Sequence, residues 1–151
     1  MKKHSPLSYA LFLLSRRDYS EHDMKAKLES RELTPEEVET VMTFLLEKKF
    51  LDDQRYATNL VRSEVNIKSY GQYRIKQKLM QKGVPEAIAA KALASIPEED
   101  EREALDRLIK RWNSVQKEMD DKYKRRNKLI QHLINKGYDY HKIMSALGNI
   151  E

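Results

Sequence analysis

Residues 71–93, GQYRIKQKLMQKGVPEAIAAKAL, decide the fold. Ile75 and Leu79 lie one helical turn apart among polar residues, Gly83 stands where that helix should stop, and Pro85 opens a second helix with Ala89, Ala92 and Leu93 inward. The pattern recurs on either side. Met24, Leu28, Arg31 and Leu33 match Ile75, Leu79, Lys82 and Val84 at an offset of 51, and Leu129, Leu133, Lys136 and Tyr138 match them at 54. A second stripe follows each flanking copy: Val38, Val41 and Met42 in one, Ile143, Ala146 and Leu147 in the other. A supersecondary unit repeated in tandem builds extended surfaces rather than a deep pocket, so binding is the favoured class of function.

Helix signals outward from this stretch complete each copy to three helices. Ser5 and Pro6 precede Leu7, Ala10, Leu11 and Leu14; Ser20 and Asp23 suit a second helix start; Thr34, Pro35 and Glu37 form a capping box for a third. Asp52 caps a fourth helix with Ala57, Leu60, Val61 and Val65 inward, interrupted at Tyr70 and Gly71. Leu105, Leu108, Ile109 and Trp112 mark a seventh after an acidic linker containing Pro97. Gly137 ends the eighth and Asp139 caps the ninth. The expectation is an all-α chain of nine helices, three tandem three-helix repeats in an elongated, curved array, divided at 1–50, 51–97 and 98–151. Glu32 occupies the place of Gly83 and Gly137, so the first repeat must close that helix end differently.

A chain of 151 residues can bury a core, and its 35% charged and 40% hydrophobic residues suit helical surface around an apolar seam. With no cysteine, thiolate chemistry and disulfides are excluded. Leu11 to Leu14 is far too short an apolar run to span a membrane, so a soluble, unexported protein is expected. The net charge of +5 is unevenly placed. Between Val65 and Pro85 there is no acid but Lys68, Arg74, Lys76, Lys78 and Lys82; between Lys122 and Tyr138 acids are again absent, and Lys124, Arg125, Arg126 and Lys128 cluster.

The run Phe50, Leu51, Asp52, Asp53, Arg55, Tyr56, Ala57, then Val61, Arg62, Gly71, Arg74, Ile75, Leu79, Lys82, Gly83 and Val84, resembles the signature of the RecX family of bacterial recombination regulators. Two positions depart from that pattern: Lys49 stands where glycine is common, and Glu64 where a second basic residue often follows Arg62. The resemblance implies a small cytoplasmic protein, expected to be a monomer, with a partner, the RecA recombinase and its filament on single-stranded DNA, whose extension, ATP hydrolysis, strand exchange and coprotease activity the protein would restrain. It implies no chemistry of its own, no cofactor and no metal. It also suggests that Asp52 and Asp53 hold the junction of the first two repeats, and it marks Phe50, Leu51, Asp52, Asp53, Arg55, Tyr56, Gly71 and Gly83 as a structural signature.

Candidate contact residues are therefore cations. Arg74, Lys78 and Lys82, spaced by four, share one edge of the fifth helix, and Arg62, Lys68 and Lys76 stand nearby in sequence. They are either aimed at a polyanion or an acidic groove, or a solvated face. Lys124, Arg125, Arg126 and Lys128 open the eighth helix against its dipole, with Asp120 and Asp121 placed to offset them. Tyr70, Tyr73 and Tyr123 can stack on unpaired bases, although packing at helix junctions is the favoured reading. Arg55 is placed to pair with Asp52. His4, His22, His132 and His141 show no metal-ligand spacing, and adjacent carboxylates such as Asp52 and Asp53 point apart on a helix start, so no catalytic or metal set is expected. The alternative to a recombinase regulator is a helical module that competes for single-stranded DNA directly.

Overall fold

The computed structural model describes residues 5–116 and 121–148; His4 and Asp120 lie outside them. Among the described residues the chain is all-helical: α1 (Pro6–Arg16), α2 (Glu21–Glu29), α3 (Pro35–Glu47), α4 (Asp53–Asn66), α5 (Gln72–Gln81), α6 (Glu86–Ala94), α7 (Glu98–Val115), α8 (Lys122–Asn135) and α9 (Tyr140–Gly148). They group as three successive three-helix units. The caps explain most boundaries. Ser5, Ser20, Asp52 and Asp121 accept backbone N–H groups at the starts of α1, α2, α4 and α8, and Thr34 with Glu37 forms the reciprocal capping box of α3. Asp139 accepts the Lys142 N–H at 2.7 Å at the start of α9. One boundary moves. The acidic run expected as a linker is the first turn of α7, where Glu98, Glu99, Asp100 and Glu101 meet the positive end of the helix dipole.

Each unit closes its own core. Met24, Leu28, Val38, Val41, Leu45 and Leu51 are buried together in the first, Ala57, Val61, Val65, Ile75, Leu79 and Val84 in the second, and Leu105, Leu108, Ile109, Leu129, Leu133 and Ile143 in the third. Ala104 of α7 joins the second core, so α7 leans on α4 and carries the third unit with it.

The units meet in a recurring way. The C-terminal turn of α8 lies under the start of α5: Gly71 N donates to Lys136 O at 2.8 Å and Tyr73 N to Gly137 O at 3.0 Å. This supplies the N–H groups of α5 with partners that its side chains do not, since Gly71 makes no side-chain cap. At the other end of α5 the same relation holds with α2, where Ser20 Oγ donates to Lys82 O at 2.6 Å. The C-terminal end of α8 therefore meets the start of α5, and the C-terminal end of α5 meets the start of α2. Glycine is required at these contacts. A Cβ on Gly71 would lie 2.4 Å from the Gly137 carbonyl carbon, and one on Gly83 would lie 2.3 Å from His22 Cβ; Gly83 and Gly137 also hold φ of 71° and 102°. Glu32 needs no such freedom because, among the described residues, no helix start lands on the end of α2.

The α3–α4 connection turns at Lys49, φ 60°, and both Phe50 N and Leu51 N donate to Leu45 O. Arg55 fixes it, its guanidinium donating to Lys49 O at 2.9 Å and Phe50 O at 3.2 Å. The expected Arg55–Asp52 pair is replaced by this arrangement: the Asp52 carboxylate is occupied by the Arg55 backbone N–H at 3.1 Å as the helix cap.

Candidate partner-binding surface

The α4–α5 connection presents a tyrosine ringed by cations. Ser69 holds φ 61°, its hydroxyl accepting from Arg107 Nε at 3.2 Å and its carbonyl from Tyr138 OH at 2.8 Å, so the third unit clamps the loop. Burial, with the charge of Glu101, pushes the Tyr138 phenol well above its ordinary range, and it stays a donor. Tyr70 follows, half-buried, with Arg74 Cζ 4.1 Å, Lys136 Nζ 5.5 Å and Lys68 Nζ 6.0 Å from its ring centroid. Such contacts hold a cation in place at about 0.5–1 kcal/mol each when exposed.

The ring sits in an open groove of about 380 Å³ lined by Glu64, Lys68, Arg74, Gln77, Lys78, Gln81 and Asn135. Its one carboxylate, Glu64, is 2% exposed and bound by Lys78 Nζ at 2.7 Å and Lys68 Nζ at 3.3 Å. A buried carboxylate held this way anchors both lysines and cancels part of their charge. With Arg74 in its lining and Lys136 beside the Tyr70 ring, the groove remains cationic.

The row expected on α5 is present as an edge, but each member also ties the fold. Arg74 donates to Asn135 O at 3.3 Å, Lys78 holds Glu64, and Lys82 lies 3.5 Å from Asp23 across the first joint. Lys76 is on the opposite edge, in a separate groove with Gln72, Tyr73 and Lys142. Arg62 lines another, with Thr58, Ile96 and Asp100. The sequence-predicted cations thus do not form one patch.

On α8 the four cations separate by role. Arg125 turns back to α7, donating to Asn113 Oδ1 at 3.2 Å and to Gln116 O, with its guanidinium over the Trp112 ring. Arg126 is half-buried and engaged as well. Lys124 and Lys128 are exposed and make no ion pair among the described residues. Lys124, Lys128, Gln131 and Asn135 follow at helical spacing along one stripe, and Asn135 delivers it to Arg74 and the Tyr70 groove. Because the C-terminal turn of α8 meets the start of α5, the stripe continues from one helix to the other. Asp121 offsets the charge at its start by capping α8.

The expectation of packed tyrosines holds for Tyr70 and fails for two others: Tyr73 is 63% and Tyr123 83% exposed. Both sit on the outer faces of their helices, away from the core positions Ile75 and Leu129. Lys136 is not among the sequence candidates. Its signal is its place in the acid-free window, but nothing local shows that α8 ends against Tyr70.

Comparison with known proteins gives this architecture a family. The models of the first, second and third three-helix domains of RecX match residues 7–45, 52–93 and 98–147. The chain is 36% identical over 132 residues to the regulatory protein RecX of Clostridium botulinum, covering 87% of this chain and 61% of that one. It is 31% identical over 140 residues to the regulatory protein RecX of Vibrio vulnificus, covering 93% and 89%. The chain therefore spans about three fifths of the clostridial relative and most of the Vibrio one. The crystal structure of RecX from Lactobacillus salivarius superposes with a TM-score of 0.86 at 24% identity, over 95% of this chain and 93% of that one, which establishes the likeness of fold. With all three domains matched in order across nearly its whole length, the chain belongs to the RecX family of regulatory proteins.

Proposed function

We propose that this protein restrains the RecA recombinase by lying along its filament on single-stranded DNA, limiting extension, ATP hydrolysis, strand exchange and coprotease activity. Membership of a regulatory family across all three units carries the reading. The cations spaced along α8 and α5 support it physically, since they suit a repeating, acidic or phosphate-bearing surface. The action is steric and electrostatic, by a cytoplasmic monomer, and it needs no bound cofactor. No helix among the described residues is long and apolar enough to cross a membrane.

The test is DNA-dependent ATP hydrolysis by preformed RecA filaments as the protein is titrated in at fixed salt. Inhibition well below one copy per recombinase subunit is expected, because one obstruction stops many additions. Full hydrolysis at excess protein overturns the proposal.

The Tyr70 groove favours a second reading, direct competition for single-stranded DNA, since a ring flanked by cations suits both a base and its phosphate. Affinity for naked DNA would then fall steeply with salt. Removing Arg74, Lys78 and Lys82 together is a poor way to separate the two, because each also holds the fold. Lys124 and Lys128 are the cleaner sites.

A further inference from the structure

The two joints between units are built on the same plan, yet one of them lacks its cation. At the second joint Gln72 Nε2 donates to Glu101 Oε2 at 3.3 Å, and Lys142 Nζ holds both oxygens of that carboxylate at 2.8 and 2.9 Å. Glu101 is 7% exposed, and its charge is matched. The repeat offsets carry this trio onto the first joint. Gln72 corresponds to Glu21, Glu101 to Asp53 in the register that superposes Leu105 and Ile109 on Ala57 and Val61, and Lys142 to Ile88. An amide, an acid and a base have become two acids and an isoleucine.

The first joint brings the corresponding Glu21 and Asp53 together. Asp53, 6% exposed, accepts the Glu21 N–H at 2.9 Å, and the Glu21 side chain meets the same carboxylate. Ile88 packs against the second core and offers no charge. The other groups around Glu21 do not replace the cation. Asp52 adds a third carboxylate from α4, and Glu39 of α3 and Glu29 of α2 line the same groove as Glu21. His22 and Lys25 line that groove too, from α2 itself. Lys82, the cation that α5 brings to the joint, is engaged by Asp23.

We propose that this joint is a proton-dependent clasp: the first unit is held on the second while the Glu21 carboxyl keeps its proton against Asp53, and is released in part when Glu21 becomes charged. Burial, then the hydrogen bond to Asp53, then the charges of Asp53 and Asp52, raise the Glu21 carboxyl from 4.5 to about 7. Once the joint opens, Glu21 returns to its ordinary value. A group whose value is raised in the closed state stabilises closure below its open-state value, and that stability is lost as pH climbs through the interval between the two. The clasp is firmest below 4.5, weakens up to about 7, and changes little beyond.

Amide exchange over residues 20–24, corrected for intrinsic rate, tests this at several pH values from about 5 to about 7.5. The opening constant should rise at least about tenfold across that range in the natural chain and by less than about twofold in Glu21→Gln, which installs the residue the second joint uses. An equal rise in both, or a flat profile in the natural chain, overturns the proposal. Carbon-13 titration of the Glu21 carboxyl in the natural chain is a check that needs no variant. A midpoint near 7 is expected, and one in the ordinary glutamate range would sink the idea.

Discussion

Lys49 holds a left-handed backbone with φ 60°, a conformation that costs an L-residue about 1–2 kcal/mol relative to glycine. Nothing offsets this through its side chain, which is exposed; the turn is held instead by Arg55 binding its carbonyl. Lys49→Gly should raise stability by about 0.5–1 kcal/mol, the relief being reduced by the greater freedom glycine gives the unfolded chain. Urea unfolding measures it, and a loss of stability would contradict the account. Ser69 is the instructive contrast. It has the same backbone twist, φ 61°, but its hydroxyl accepts from Arg107, so Ser69→Gly should lose about 1 kcal/mol in spite of the relieved strain. The sequence marked Lys49 only through the family pattern and did not mark Ser69 at all, because a positive φ is imposed by where the two helices must go.

At the scale of elements, the glycines that end α5 and α8 were readable as stop signals. Their second purpose was not: each lets the next helix start land on the turn. Gly137→Ala should therefore cost about 2–4 kcal/mol, since a Cβ there would sit 2.6 Å from Arg74 Cβ and 2.7 Å from Arg74 N as well as in a left-handed conformation. Gly148 on α9 has nothing within 4 Å, and its replacement by alanine should be neutral or stabilising by a few tenths of a kcal/mol, as helix propensity dictates. Equal losses at the two positions in denaturant unfolding would show that the joint is not what Gly137 serves. The same reasoning explains Glu32, a departure the repeat pattern exposed and could not account for.

For the whole molecule, Lys124 and Lys128 stand at the outer end of the α8–α5 stripe and hold no ion pair among the described residues. Replacing both with alanine should leave the melting temperature within about 2 °C, as surface changes do. It should weaken inhibition of the recombinase filament several-fold. If the two lysines each neutralise a phosphate of single-stranded DNA, the slope of log affinity against log salt should also become shallower by about 1.4, at ~0.7 per phosphate. Unchanged inhibition in the ATP hydrolysis titration, with the fold intact, would remove α8 from the binding surface.

Periodicity, caps and the offsets of 51 and 54 determined the helices, their grouping in threes and most residues of each core, because these are set by spacing within about 50 residues of chain; Ile134 and Tyr140, on the expected stripes, are exposed, and Ala104 crosses to the second core. Charge segregation named the cations, among them Arg74, Lys78, Lys124 and Lys128. What each cation does was decided only in three dimensions. Lys78 is bound by a buried Glu64, Arg125 folds back on α7, and Lys136 joins Tyr70 from a helix 66 residues away in sequence. The end-to-end meeting of α8, α5 and α2, and the acid pair at the first joint, belong to the same class. They arise where separate units touch, and a helical period records which face of a segment is buried but not what lies against its ends.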